Sequence, residues 1–223
     1  MPDMGYIFIV TYGRSGSTLL QGILNSIPGY LVRGENRQAL RHLYAFHTAA
    51  VQERQRQRRG QRRRGVEPGS HDASNAYFGI DRFPVRKSIA GIRQLALDTL
   101  LRPEPDTRVT GFKEIRWGAE DVDEYVAWLL EVFPGARFLV NTRDLDDVAS
   151  SKWWADDPGA RATLEAVEGR LLALRESLGP AGFHVHFDDY IADPAALHPM
   201  FAWLGAEYDE PRVRRVLDTR HSY

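Results

Sequence analysis

"FIVTYGRSGSTLLQGIL", residues Phe8 to Leu24, joins an apolar run to a small-residue turn holding one arginine and then to an apolar-periodic segment. Tyr6 to Thr11 is continuously apolar rather than alternating, as in a strand covered on both faces within a parallel sheet. From Ser17 onward, Leu19, Leu20, Ile23 and Leu24 fall on one helical stripe, which Pro28-Gly29 closes. Between strand and helix, Gly13-Arg14-Ser15-Gly16 lets the backbone approach an anion closely. The first free helix amides, near Ser17, Thr18 and Leu19, add the positive end of the dipole, and Arg14 adds a fork of donors. A turn with Ser17 as helix cap would account for the same residues. The stretch lacks both the lysine and the spacing of the G-x-x-x-x-G-K-[ST] loop that holds nucleoside triphosphates.

The same alternation continues outward. Tyr30 to Arg33 reads as a short second strand, and Leu40, Leu43, Tyr44, His47 and Val51 mark one face of a longer helix. That helix runs towards "QERQRQRRGQRRR", residues 52 to 64. Residues 65 to 83 carry no clear period and read as a loop over the site, so that 52–83 forms a loop or lid insertion. Ile89, Ile92, Ala96 and Leu100 restore helical spacing until Pro103 and Pro105 end it. Val109 to Ile115 reads as a strand, Val122 to Phe133 as a strongly amphipathic helix, and Ala136 to Asn141 as a buried strand. A helix from about Asp144, another over Leu164 to Leu178, a strand over Phe183 to Phe187 and a helix around Leu197 to Leu204 complete the pattern. Repeated β then α predicts a single-domain α/β fold: a P-loop-type, mainly parallel β-sheet flanked by helices, with its ligand beyond the carboxyl ends of the strands.

Composition sets bounds. The 223 residues suit one domain, and 43% hydrophobic with 26% charged residues is ordinary globular usage. No cysteine is present, which excludes disulfides, thiolate metal sites and cysteine nucleophiles. The chain reaches its first apolar run without a basic leader, and no apolar run approaches the roughly 20 residues of a spanning helix. The expectation is a cytoplasmic protein with no membrane partner. A net charge of -1 steers nothing globally towards nucleic acid. The arginines at 54, 56, 58, 59, 62, 63 and 64 read as a solvated helix end or loop, or as a charged lid guiding an anionic substrate. Without interleaved aromatics, a nucleic-acid partner ranks below the lid. The seven histidines show no metal-ligand pattern, and His184 and His186 alternate along a strand.

A second element gives the loop its meaning. In "FPGARFLVNTRDLDDVASSKWW", residues 133 to 154, a buried strand delivers Arg143 to its carboxyl end, and Ser151 follows eight residues later on the next helix. The two can share one phosphate. Together, "TYGRSGSTLL" and "NTRDLDDVASS" resemble the sulfotransferase family that uses 3′-phosphoadenosine 5′-phosphosulfate (PAPS). The similarity continues through "FDDYIADPAALHPMFAWLG", residues 187 to 205, and is weakest between 52 and 105. The resemblance implies that Arg14, Ser15, Gly16, Ser17, Thr18 and Leu19 cradle the 5′-phosphosulfate. It also implies that Arg143 and Ser151 bind the 3′-phosphate, retained in the product PAP, and that no metal is needed. Arg14 stands where the family has Lys or Arg to neutralise the departing phosphate. The family's C-terminal Arg-Lys-Gly segment is absent, and Arg220 in "DTRHSY" is the nearest substitute.

The acceptor hydroxyl needs a base. Glu35, just after the second strand in "YLVRGENRQAL", stands where carbohydrate and tyrosyl-protein sulfotransferases often keep a catalytic glutamate; it could instead simply favour the start of the next helix. In "TGFKEIRW", Lys113 resembles family lysines that reach the sulfuryl group or substrate. Glu114 is the rival base or the partner of Arg116, and both are candidate substrate-binding residues. Trp153-Trp154 reads as packing near the mouth of the site or in the core. The expected activity is sulfuryl transfer from PAPS to a hydroxyl of a glycan, carbohydrate or other small-molecule acceptor. The rivals are an atypical P-loop kinase and a non-catalytic nucleotide- or polyanion-binding module.

Overall fold

The computed structural model describes residues 4–219. Five strands form one parallel sheet in the order β2-β3-β1-β4-β5: β1 Gly5–Val10, β2 Tyr30–Arg33, β3 Val109–Glu114, β4 Arg137–Thr142 and β5 Gly182–His186. The continuous apolar run of β1 is explained by its central place. Phe8 and Val10 face one core with Phe112, Phe138 and Val140, while Ile7 and Ile9 face the other with Leu139 and Val185. Helices α3 (Val85–Ala96), α4 (Val122–Val132) and α6 (Ala160–Ser177) cover the first face; α1 (Ser17–Ser26) covers the second, with α8 (His198–Leu204) and α9 (Glu210–Leu217) beside it. Parallel strands align their carboxyl ends, so Val10 pairs with both Glu114 and Val140, and Thr142 pairs with His186. The segments after β1, β2, β3 and β4 therefore open onto one edge.

The stretch after Val51 departs from the expected loop over 52–83. Helix α2 spans Ala39–Arg63, so residues 52 to 63 are helical. Arg, Gln and Glu are good helix formers, and the lone Gly60 does not stop them. Residues beyond it fold back onto α2 rather than over the sheet edge. Buried Gln61 accepts from the Gly69 amide at 3.0 Å and donates to buried Asp81 at 2.9 Å, and Asp81 also accepts from the His71 amide at 3.3 Å. After β4 the helix is short, α5 Leu145–Ala149, so Ser151 lies in extended backbone beyond its end. Helix α7 (Phe187–Ala192) follows β5 directly. Helix α9 goes beyond the pattern read from the sequence: Asp209 accepts from the Arg212 amide at 2.9 Å, Pro211 sits at the start, and Val213 is buried against α1. Among the described residues, no helix is long and apolar enough to cross a membrane.

Candidate active site

The loop between β1 and α1 is held from below by buried hydrogen bonds. Thr11 Oγ1 lies 2.6 Å from Ser15 Oγ and 2.7 Å from the Asn141 carbonyl, and Asn141 Nδ2 donates to the Ser15 carbonyl at 2.8 Å. Tyr190 donates to Asn141 Oδ1 at 3.2 Å. Ser15 is fully buried in this knot and does not line the cleft, so its side chain fixes the loop instead of facing a ligand. Two left-handed residues shape the turn, Arg14 at φ 72° and Gly16 at φ 78°. A β-carbon on Gly16 would lie 2.1 Å from the Phe187 ring, so glycine meets both the angle and the lack of room. Helix α1 starts there with no side-chain cap and no acidic residue in its first turn. Ser17 is therefore not the cap; the Leu19 amide, expected to be free, donates to the Gly16 carbonyl at 2.9 Å, which leaves the Ser17 and Thr18 amides as the ones able to meet an anion.

A cleft of about 260 Å³ opens over these amides. Gly16, Ser17, Thr18 and Leu19 line one side, while among the described residues Arg14, Lys113 and Arg143 supply three cations against one lining carboxylate, Glu35. Arg14 Nε donates to Ser151 Oγ at 3.1 Å, and its guanidinium lies 5.9 Å from the Trp153 ring centroid at the cleft wall. Trp154 is tied to the loop through Nε1, which donates to the Gly13 carbonyl at 3.2 Å.

Arg143 enters from the end of β4. Its guanidinium rests 4.9 Å from the Phe187 ring centroid, donates to Asp147 at 3.0 Å and to the Arg14 carbonyl at 3.4 Å, and keeps a buried Nε without a hydrogen-bond partner. Asp188 lies 4.0 Å from that Nε. Tyr12 anchors the Arg143 backbone from both sides: its hydroxyl accepts from the Arg143 amide at 2.9 Å and lies 3.1 Å from the Arg143 carbonyl and 2.5 Å from Glu168. Burial, then the Glu168 hydrogen bond, push this phenol well above its ordinary pKa.

On the other side, Lys113 reaches from β3 to Glu35 beyond β2, with Nζ 2.6 Å from Oε1. The Lys113 side chain is 6% exposed and that of Glu35 37%, so the pair spans from the sheet edge to open cleft. Neighbouring Glu114 faces elsewhere. Its two carboxylate oxygens accept from the Gln38 and Ile115 amides at 2.9 and 2.8 Å, it is 2% exposed, and it is not in the cleft lining. It fastens the start of α2. Arg116 is exposed, outside the lining, and makes no ion pair with Glu114. Consecutive strand residues point to opposite faces, which separates Lys113 from Glu114.

Arg220 lies outside the described residues; Thr219, beside it in sequence, lines the cleft. None of residues 52 to 83 does. Tyr12, Asn141 and Phe187 were not singled out from sequence. A polar Asn within the apolar run "FLVNT" and a Tyr directly before the glycine turn were their signals. Among the described residues, no cluster of three or more His, Asp or Glu side chains is placed to hold a metal ion.

The comparisons with known proteins agree with this architecture. A search of curated proteins by sequence gave no match. Among solved structures, the sulfotransferase domain of the Synechococcus PCC 7002 olefin synthase superposes with a TM-score of 0.54 at 18% identity, over 97% of this chain and 78% of that one. The sulfotransferase domain from the curacin biosynthetic pathway gives 0.56 at 14%, over 97% and 79%. Sulfotransferase STF9 from Mycobacterium avium gives 0.50 at 14%, over 97% and 67%. At such identities the likeness is one of fold. The family profile described as "Sulfotransferase family" matches residues 6–210, a span that takes in the anion loop, the Lys113–Glu35 pair and Arg143. The chain belongs to the sulfotransferase family.

Proposed function

We propose that the protein transfers a sulfuryl group from PAPS to a hydroxyl of a carbohydrate or other small-molecule acceptor, with Glu35 as the base. The observation that carries this reading is the cleft itself: uncapped α1 amides and three cations around the exposed carboxylate of Glu35. The residues fit the donor. Arg14 with the Ser17 and Thr18 amides suits its 5′-phosphosulfate, and the partnerless Nε of Arg143 suits its 3′-phosphate, which we also assign to Ser151, held here by Arg14 Nε at 3.1 Å. PAPS supplies a sulfuryl group already activated by its bond to phosphate.

The chain's own residues then have defined tasks. Glu35 takes the acceptor proton as the acceptor oxygen bonds to sulfur and the bond between sulfur and the phosphate oxygen breaks. Arg14 and the α1 amides neutralise the electron pair left on that phosphate, giving PAP. Lys113 fixes Glu35 with one donor, leaving Glu35 Oε2 for the acceptor and two ammonium donors for charge developing on the sulfuryl oxygens. Transfer of this kind rests on positioning and charge stabilisation, as phosphoryl transfer does.

The test is PAP release from PAPS across a panel of sugars, phenols and aliphatic alcohols, followed by chromatography, with and without EDTA. Acceptor-dependent release undiminished by EDTA is expected. Release of ADP from ATP with Mg²⁺, and none from PAPS, would make the protein a kinase instead. PAP binding with no transfer to any acceptor would leave a binding module.

A further inference from the structure

The arginine-rich half of α2 takes no part in the cleft, yet it borders a second concavity. Between α2 and the start of α3 lies a groove of about 670 Å³ lined by Val51, Phe83 and Pro84 together with Arg54, Arg82, Arg86 and Lys87. Val51 and Phe83 are partly buried, whereas Arg82, Arg86 and Lys87 are exposed, so the groove has an apolar floor and a basic rim. Phe46, 57% exposed, extends the floor through an edge contact with Phe83 at 6.2 Å. Among the described residues, no acidic residue lines the groove and none of its four cations forms an ion pair. Arg54 Nε is buried without a hydrogen-bond partner.

We infer that this groove docks an acidic amphipathic helix of a partner protein, apolar side down and carboxylates against Arg54, Arg86 and Lys87. A large exposed aromatic beside unpaired cations marks a surface built for contact rather than solvation. Concavity and an apolar floor fit a helix laid in a groove, with apolar residues three and four apart, better than an anionic polysaccharide, whose charged groups and hydroxyls interrupt any continuous apolar stripe. A planar membrane would not fill the hollow. At about 1.5 Å per residue, Arg54 lies roughly 20–25 Å along α2 from its start beside the cleft. A docked partner therefore stands clear of the site while its flanking chain can reach it. The inference does not depend on which sulfuryl donor the cleft uses.

The experiment measures fluorescence anisotropy of a labelled helical peptide carrying Leu and Phe at i, i+4 and i+7 with Glu on both flanks. It uses the full chain, wild type and Arg54→Glu/Arg86→Glu/Lys87→Glu. The milder Arg86→Gln/Lys87→Gln guards against misfolding, and a PAP thermal shift in each variant reports the intact cleft separately. Expected is saturable binding, weakened about tenfold or more in the triple variant, less in the double one, and by salt at about 0.5 M. A scrambled peptide should bind far more weakly. Absence of saturable binding, equal binding by the scrambled peptide or by the triple variant, or tighter capture of dextran sulfate or phosphatidylglycerol vesicles would each overturn the inference. So would a dimer of the chain that dissociates in the triple variant, since the groove would then seat a second copy.

Discussion

Glu35 and Glu114 show how placement in the fold divides two carboxylates between the cleft and the scaffold. Glu35 is exposed to the cleft with one oxygen on Lys113, whereas both oxygens of Glu114 are spent on backbone amides. Glu35→Gln is expected to keep PAP affinity and lower kcat by about 10²–10⁴-fold, the usual contribution of a positioned base. Glu114→Gln should act on stability instead, since an amide can accept only one of the two buried bonds; a loss of about 1–3 kcal/mol in chemical unfolding is expected. Full activity in Glu35→Gln with an inactive but stable Glu114→Gln would exchange the two roles. Gly16 makes a sharper case. Gly16→Ala places a side chain at φ 78° against the Phe187 ring, so a penalty above about 1–2 kcal/mol and weaker PAP binding are expected. Wild-type melting and affinity would show that the loop relaxes freely.

At the scale of elements, β4 and β5 carry Arg143 and the groups that orient it. Thr142 Oγ1 lies 2.7 Å from His184 Nε2 and 2.9 Å from His186 Nδ1, and His186 Nε2 lies 3.3 Å from Asp188. One hydroxyl has one proton, so Thr142 donates to one ring and accepts from the other. Burial foremost, then His186 and Arg175, lower the His184 pKa below its ordinary 6.5. The unfolded chain then binds more protons than the folded one between the folded value and 6.5, so stability rises with pH through that window and is lost as pH falls. His47, bonded to Ser88 at 3.0 Å and also lowered by burial, adds the same sign. Melting temperature should drop from pH 7 towards pH 5, and His184→Gln should flatten the slope; an unchanged slope would assign it to other groups.

The elements also show what the sequence could and could not convey. Strand β2 is read with the observed limits and β1 within a residue at each end, because turns and apolar runs bound them locally. For the end of α2 a helix end and a loop stayed open alternatives, because its pinning by Gln61 and Asp81 is a long-range contact between polar residues with no periodic signature.

Across the whole molecule, strand order decides which residues meet. The anion loop and Glu35 follow consecutive strands, but β3 lies between β1 and β2, and that insertion brings Lys113 between the loop and the carboxylate. Arg14, Lys113, Glu35 and Arg143 were legible as candidates because each follows or ends a strand in an α/β pattern. Ser15, Glu114 and Arg116 were not sorted from them, since the inward or outward aim of a side chain depends on tertiary packing. The central claim is that this edge holds a nucleotide carrying a 3′-phosphate. Calorimetric titration of PAP against adenosine 5′-phosphate, with wild type, Arg143→Ala and Ser151→Ala, tests it most directly. The account expects one saturable PAP site, adenosine 5′-phosphate weaker by about 1.5–3 kcal/mol, and most of that difference gone in Arg143→Ala, because a charge-assisted bond is worth about that much. Equal affinity for the two nucleotides in wild type, or equal losses for both in the variants, would contradict it.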